Sequence, residues 1–296
     1  MGAGGFYGWL GRQEWMEPVE RATQNAVSRT AHAAGDTTKD FLHGTWLGHP
    51  LHSAITDLPI GAWTVALAMD ALDAFDHRGP YEDGARAAIA IGIGGALGAA
   101  IAGLADWSDV DPPARRIGLL HAVLNVAGVG MFTASYMMRR KRARTTGKLL
   151  ALAGYATASF SAWLGGHLVY HEKIGVDHTA GQPLPDDWVA VMDEQDLPEG
   201  QPRKVNANGT PVMLVRRGYN IDAIYEKCAH LGGPLSEGRL EGDTIKCPWH
   251  GSTYSIKDGH VIHGPSQHPQ PLLEARVRNG RIEVRKATGA PRVMTA

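Results

Sequence analysis

The chain has 296 residues, a formal net charge of −1 at pH 7 and an isoelectric point near 6.9. This length is sufficient for two domains, and the near-zero charge argues against a nucleic acid partner. The two cysteines both fall inside one motif described below, so cysteine usage does not indicate a redox compartment.

Residues 1–44 are predicted to form an N-terminal surface segment. The apolar run from Gly4 to Leu10 is too short for a secretory signal. Residues 19–34 could form an amphipathic helix, lying along a membrane surface or packing on a helical bundle. Its apolar side would carry Val19, Ala22, Ala26 and Val27. The segment is assigned no chemistry.

Residues 45–174 are predicted to form an all-α four-helix transmembrane bundle. Four apolar segments lie at about residues 45–74, 85–107, 117–138 and 149–170. Each can cross a hydrocarbon layer of about 30 Å, at about 1.5 Å of rise per helical residue. The second segment carries Ala90, Gly94, Gly98 and Ala102 at every fourth position, which allows close helix packing. The lipid bilayer is therefore a predicted partner, a homo-oligomer is left open, and a soluble helical domain is the alternative.

The connections between these helices predict an orientation. The third carries six basic residues and no acid, whereas the second holds three aspartates against two arginines. By the positive-inside rule the first and third connections are cytoplasmic, so both chain ends lie outside. The pair Arg139-Arg140 faintly resembles a twin-arginine export signal. The alternative is that these arginines are only the positive-inside anchor.

A set of ionisable residues is predicted to share one membrane face, at the starts of the first and third helices and the end of the fourth. It comprises His49, His52, Asp57, His121, His167 and His171. Ionisable groups within a membrane are functional candidates by default. One interpretation is bis-histidine ligation of haem b, with His52, His121 and His167 as preferred ligands. The others are a non-haem metal or quinone site, and a structural role in which these groups hydrogen-bond one another.

Residues 175–186 read as a linker, and residues 187–288 are predicted to form an all-β domain. Short alternating runs such as Pro211–Val215 and Ile221–Tyr225 are separated by turn signals such as Asn208-Gly209 and Asn279-Gly280. This pattern predicts an antiparallel β-sandwich or barrel. The fold class is thus multidomain, with a helical membrane part followed by a β part.

The chemistry is concentrated in two stretches of the β part, Cys228-Ala-His230 and Cys247-Pro-Trp-His250, which have sixteen residues between them. Two thiolates and two imidazoles suit an iron–sulfur cluster or zinc. Leu-Gly-Gly-Pro-Leu follows the first pair and Gly-Ser-Thr-Tyr follows the second. The last hundred residues therefore resemble the Rieske [2Fe–2S] family, with a structural Cys2His2 zinc site as the alternative.

The Rieske resemblance implies roles for particular residues. Cys228 and Cys247 would bind one iron, and His230 and His250 would bind the other. The residues implied to surround the cluster are Gly233, Ser252, Tyr254 and Pro265. Positions 233 and 249 are Gly and Trp, where quinol-oxidising members carry a disulfide, so the loops look like the ferredoxin subtype. Because Tyr254 matches a feature of higher-potential members, an intermediate reduction potential is expected.

The helical part also resembles a known family. Gly48-His-Pro-Leu-His52, followed by Asp57-Leu-Pro-Ile-Gly61, is similar to DUF2231, a family of uncharacterised bacterial membrane proteins found alone or fused to a Rieske module. The resemblance covers about residues 40–175 and implies a membrane topology rather than an activity.

Together these observations predict a multi-pass protein of the bacterial inner membrane, with its Rieske domain on the extracytoplasmic side. It would pass single electrons between a membrane carrier, quinone or haem b, and a redox partner protein. An enzyme subunit that oxidises a quinol or small molecule at the membrane histidines is one alternative. A redox sensor is the other.

Overall fold

The computed structural model describes residues 3–76, 80–112 and 114–288, and it divides the chain into two compact units. The helical unit consists of Met1–Gly35 and Leu51–Ile174, and the β unit of Asp36–Pro50 and Gly175–Ala296. The predicted N-terminal segment 1–44 is therefore divided: its residues up to Gly35 belong to the helical unit and those from Asp36 onward to the β unit.

The helical unit is built around four long helices. Within the described residues its helices are α1 (Ala3–Gly11), α2 (Glu17–Ala34), α4 (Leu51–Phe75), α5 (Tyr81–Ser108), α6 (Ala114–Arg140) and α7 (Arg144–Tyr170), while α3 (Asp36–His43) belongs to the β unit. Contacts of α4 with α5 and α7, and of α6 with the same two helices, close a four-helix bundle. The predicted helix within residues 19–34 packs on this bundle, since α2 contacts α5 and α6.

Three helices of the described chain, α4, α5 and α6, are long and apolar enough to cross a membrane. The fourth predicted span, α7, is not among these three. The apolar stretch of α7 is diluted by serine, threonine, tyrosine and glycine. The first predicted segment also begins late as a helix, because Gly44 and Gly48 take left-handed conformations and enclose a 3₁₀ turn before α4.

One end of the bundle is joined by buried ion pairs. The guanidinium of Arg139 on α6 contacts the Asp70 carboxylate at 2.5 Å and the Glu82 carboxylate at 3.0 Å, and its side chain is fully buried. Lys148 on α7 pairs with Asp73 at 2.6 Å. A buried charge is tolerated only when it is paired in this way. These two cations therefore neutralise carboxylates inside the bundle. The other four basic residues of the third connection remain as the basis of the predicted orientation.

The two hairpins, α4–α5 and α6–α7, repeat one sequence pattern. Leu51-His52 in α4 corresponds to Leu120-His121 in α6, and eleven residues after each histidine stands a large aromatic residue. These residues, Trp63 and Phe132, are buried and stack with ring centroids 4.1 Å apart. Each ring packs against a glycine of its own hairpin, Gly92 and Gly154 respectively. The bundle is thus formed by two equivalent hairpins that meet at their aromatic residues.

The β unit contains two antiparallel sheets. Its strands are β1 (Val189–Asp193), β2 (Arg203–Ala207), β3 (Thr210–Arg217), β4 (Asn220–Tyr225), β5 (Arg239–Glu241), β6 (Thr244–Lys246), β7 (Thr253–Ser255), β8 (Val261–His263), β9 (Leu272–Arg278) and β10 (Arg281–Lys286). The larger sheet has the order β1-β10-β9-β4-β3-β2, and the smaller has the order β5-β6-β7-β8. Left-handed Asn208 and Asn279, each followed by a left-handed glycine, form the β2–β3 and β9–β10 turns.

The stretch predicted as a linker, residues 175–186, packs within the β unit. The amide of His178 donates to the carbonyl of Ala229, and the Thr210 hydroxyl donates to the carbonyl of Pro183. These bonds attach the incoming chain to the loop that carries the first cysteine and to the start of β3.

Candidate iron–sulfur centre

The two ligand stretches form loops with the same backbone hydrogen bonds. In the first, the amide of Cys228 donates to the carbonyl of Gly233 and the amide of Gly232 donates to the carbonyl of Cys228, both at 2.8 Å. In the second loop, the amide of Cys247 donates to the carbonyl of Ser252 at 2.8 Å, and the amide of Gly251 donates to the carbonyl of Cys247 at 3.2 Å. Gly232 and Gly251 occupy equivalent positions with φ values of 77° and 82°, a conformation that favours glycine.

The loops bring the four predicted ligand side chains together. Cys228 and Cys247 are buried, and both are free thiols. The rings of His230 and His250 have centroids 5.0 Å apart and planes at 82°. Nδ1 of His230 is buried without a hydrogen-bond partner among the described residues. An orphaned imidazole nitrogen is costly in a protein interior, and a metal ion at this nitrogen would remove that cost.

The surroundings of the Cys228 sulfur favour negative charge. The pKa of Cys228 is lowered to about 7, first by a hydrogen bond from the Cys247 thiol and then, against the effect of burial, by the Tyr254 hydroxyl and the amides of His230 and Leu231. The pKa of Cys247 is raised, first by its hydrogen bond to the Cys228 sulfur and then by burial, although the amides of Trp249 and His250 act against this change. Burial in turn lowers the pKa of His230 well below its usual value, so its imidazole is neutral at pH 7 and able to bind a metal.

The residues implied to surround the cluster lie beside these groups. A Cβ at Gly233 would stand 2.9 Å from Sγ of Cys247, so only glycine allows this approach. The hydroxyl of Tyr254 lies 3.1 Å from Sγ of Cys228. Ser252 is fully buried and accepts a hydrogen bond from the amide of Ser266, which follows the buried Pro265. The donor set and its close backbone fit a [2Fe–2S] cluster.

Gln270 was missed in the sequence and organises the first loop. Its side chain is 2% exposed; it donates to the carbonyls of Tyr225 and Lys227 at 2.7 and 2.6 Å and accepts from the amide of Ala229. Because Ala229 stands between the first cysteine and histidine, Gln270 positions both. No sequence pattern marks this residue, since its partners lie more than forty residues away.

A second missed contribution comes from Asp36–Pro50, more than two hundred residues before the loop that it contacts. The carboxylate of Asp40 accepts the amide of Gly264 at 2.7 Å and lies 2.9 Å from Nδ1 of His263. Gln267 donates to the carbonyl of His43, which is 1% exposed. His43 also contributes to the lowered pKa of His230, after burial and His250. This segment therefore completes the site from outside the β strands.

In the helical unit, two of the predicted histidines are hydrogen-bonded to neighbouring helices. Nδ1 of His52 lies 2.7 Å from the carbonyl oxygen of Ala99, and Nδ1 of His121 lies 2.8 Å from that of Ser161. Asn125 bonds the other nitrogen of His121 at 3.0 Å. A glycine one turn beyond each carbonyl, Gly103 and Gly165, packs against the ring. The ring centroids of His52 and His121 are 6.2 Å apart.

The remaining predicted membrane residues are not part of that pair. His167 and His171 form a separate group with Glu172, in which the possible ligand atoms lie within 4.8 Å of one another. Asp57 is exposed on α4, and His49 is exposed within the β unit. Glu172 was missed in the sequence, although its position directly after a pair of histidines four residues apart could have indicated it.

Comparisons with known proteins match the two units separately. A family model described as a Rieske [2Fe–2S] domain matches residues 187–280, and one described as a predicted membrane protein, DUF2231, matches residues 48–178. The Asp36–Pro50 segment thus lies outside the Rieske match, although it packs in the β unit.

Individual relatives match the β unit. Ferredoxin CarAc of Metapseudomonas resinovorans is 34% identical over 98 residues, which cover 33% of this chain and 92% of that protein. Apoptosis-inducing factor 3 of Homo sapiens is 30% identical over 126 residues, 42% of this chain, and the chain spans only 20% of that protein's length. The solved ferredoxin of carbazole 1,9a-dioxygenase from Nocardioides aromaticivorans IC177 is 26% identical, with a TM-score of 0.33 over 34% of this chain and 100% of that chain.

Proposed function

The chain belongs to the Rieske [2Fe–2S] family through its β unit and carries a DUF2231 membrane domain, and from this premise we propose that it is a membrane-anchored electron-transfer protein. It would pass single electrons between a membrane quinone and a redox partner protein. The observation that carries the proposal is the site in the β unit, where two buried thiols and a neutral imidazole with an orphaned Nδ1 converge.

The proposed ligands are Cys228 and Cys247 for one iron and His230 and His250 for the other. When bound, a [2Fe–2S] cluster takes up and releases one electron at a time. The chain contributes buried amides and the Tyr254 hydroxyl, which stabilise negative charge on sulfur and so favour the reduced state. The loop from His263 to Gln267 is held by hydrogen bonds to Asp40 and His43, and its Ser266 amide bonds the buried Ser252 of the second ligand loop.

Quinone is proposed as the membrane carrier because of the hydrogen bonds in the bundle. Both ring nitrogens of His121 are bonded, to Ser161 and to Asn125, so ligation of haem iron would require one of these bonds to break. This arrangement favours the structural interpretation of the His52 and His121 pair.

The α4–α6 spans supply the anchor. The inner membrane of a bacterium, with the β unit outside, is the proposed location, and α7 is proposed as the fourth span.

The test uses full-length protein, loaded with its cluster and reconstituted in liposomes that contain a quinone pool. When the quinone pool is reduced, the cluster should become reduced as well, which is seen as bleaching of its visible absorption. A cluster that is reduced only by soluble reductants would overturn the quinone proposal. A reduced-minus-oxidised spectrum of the same sample tests haem: sharp bands that disappear in His121→Ala would replace quinone by haem b.

The proposed orientation is tested separately with Arg142→Cys. The two native cysteines are buried, so the introduced thiol would be the accessible one among the described residues. A membrane-impermeant maleimide should label it only after the inner membrane is opened. Labelling of intact spheroplasts would overturn the orientation and leave the electron-transfer proposal unaffected.

A further inference from the structure

The C-terminal end of α7 gathers three side chains that can bind a metal. His167 and His171 are one helical turn apart on the same face, and their rings stack with centroids 4.6 Å apart. The amide of Glu172 donates to the carbonyl of His167 at 3.2 Å as the helix ends. The left-handed Lys173, with a φ of 59°, then turns the chain away.

This local fold returns the Glu172 carboxylate to the first histidine. Nε2 of His167 lies 3.3 Å from Oε1 of Glu172, and one ligand atom from each of the three side chains lies within 4.8 Å of the others. Metal bonds of about 2.0–2.2 Å to nitrogen and oxygen bring ligand atoms of a tetrahedral site to about 3.3 Å from one another. One pair is already at this distance, and modest side-chain rotation of the exposed His171 can bring the third atom closer.

The electrostatics of the group favour a cation. A helix C-terminus carries a partial negative charge, to which the Glu172 carboxylate adds a full one. The stacked rings place two imidazoles beside this carboxylate. Imidazoles combined with one carboxylate suit divalent zinc and iron.

Packing holds the first ligand in place. The ring of Tyr7 on α1 is 8% exposed and stacks on His167 with planes at 10°. The ring centroid of Trp163 lies 5.1 Å from that of Tyr7. In contrast to His52 and His121, neither histidine of this group is bonded to a carbonyl of another helix in the described chain. The polar partner of His167 is thus Glu172, another member of the group, rather than the backbone of the bundle.

We propose that His167, His171 and Glu172 form a binding site for one divalent first-row transition metal ion. Three protein ligands leave at least one coordination position open, as in catalytic rather than structural metal sites. The site is separate from the Cys228–His250 centre and does not depend on the proposed electron-transfer function.

Zinc is the probe, because it is counted independently of the iron of the cluster. Tag-free, full-length, cluster-loaded protein in detergent would be dialysed against micromolar zinc, followed by elemental analysis. One zinc per chain is expected. His167→Ala and His171→Ala should each weaken zinc binding by at least about 100-fold, and Glu172→Gln by about 10-fold or more, in the range by which altered metal surroundings lower affinity.

The matched control is His49→Ala, which also removes an exposed histidine and should leave zinc binding unchanged. Visible absorption of the cluster and the thermal midpoint show that each variant is folded, and His171 is exposed, so its loss removes no core contact. Equal zinc affinity of wild type and His171→Ala would overturn the site, and so would the absence of zinc binding at micromolar concentration. Unchanged affinity of Glu172→Gln would overturn the three-ligand set.

Discussion

The partly buried imidazoles of the two units differ in whether their ring nitrogens have hydrogen-bond partners. In the helical unit, Nδ1 of His121 bonds a carbonyl on the next helix and Asn125 satisfies its other nitrogen. In the β unit, Nδ1 of His230 is buried with no partner in the described chain, beside two buried thiols. Because an unsatisfied polar atom destabilises a folded protein, the first imidazole needs no ligand, whereas a metal ion at Nδ1 of the second would remove that cost.

The same contrast holds for charge. Arg139 is the most deeply buried cation of the ion-pair network, and each of its contacts is a carboxylate or hydroxyl of the bundle. At the β-unit centre, the pKa of Cys228 is lowered by hydrogen bonds, first from the Cys247 thiol and then from the Tyr254 hydroxyl and two backbone amides. The buried cation is thus neutralised by carboxylates, whereas the buried thiol is stabilised in its charged form by hydrogen bonds.

The largest effect is expected from Cys247→Ser. A serine oxygen is a poor ligand for the soft iron–sulfur core, and the chain has no third cysteine to replace the lost thiolate. The visible absorption of the cluster and the electron paramagnetic resonance signal of its reduced form should disappear. The exposed His260→Ala variant should retain both signals. Full cluster content in Cys247→Ser would remove this cysteine from the ligand set.

Arg139→Met should lower the free energy of unfolding of the helical unit by about 3–5 kcal/mol, because Asp70 and Glu82 would stay buried without their cation. The measurement is denaturant unfolding in detergent, followed by helical circular dichroism. Arg140→Met, at the adjacent exposed position, should change stability by less than about 0.5 kcal/mol. If the two variants were equally stable, the buried network would not be what joins this end of the bundle.

Tyr254→Phe should lower the reduction potential while the cluster remains bound. Loss of one hydrogen bond to a charged sulfur is worth about 1–2 kcal/mol, or roughly 40–90 mV for one electron. Tyr225→Phe is a matched control, because this buried hydroxyl bonds Gln182 rather than a cysteine. Redox titration of both variants checks the prediction. A potential as low as in plant-type ferredoxins for the wild type would contradict the expected intermediate value.

The smallest effect is expected from Asp40→Asn, which removes the charge that holds Gly264 and His263. Weakening of about 1 kcal/mol should speed amide exchange across residues 263–267 roughly fivefold. Asp36→Asn changes an exposed aspartate of the same helix and should leave the exchange unchanged. Exchange rates measured by mass spectrometry would contradict the role of Asp40 if both variants behaved alike.

Local patterns in the sequence were sufficient for the broad architecture and for the identity of the candidate ligands. Both cysteines stand in C-x-H and C-x-x-H motifs, and Asn-Gly turns separate the short alternating strands. Such signals depend on spacing within a few residues, which the chain itself determines. The apolar segments were located for the same reason, although the lower apolar content of α7 left three clear spans.

Tertiary structure alone decided which polar groups are satisfied. The contact of Asp40 with Gly264 spans more than two hundred residues, and the bonds of Gln270 span more than forty. The predicted membrane set was likewise divided: His52 and His121 are bonded to helix carbonyls, while His167 and His171 meet Glu172. A histidine offers the same two nitrogens at every position in a sequence, and only the folded neighbours determine whether a nitrogen is left free for a metal.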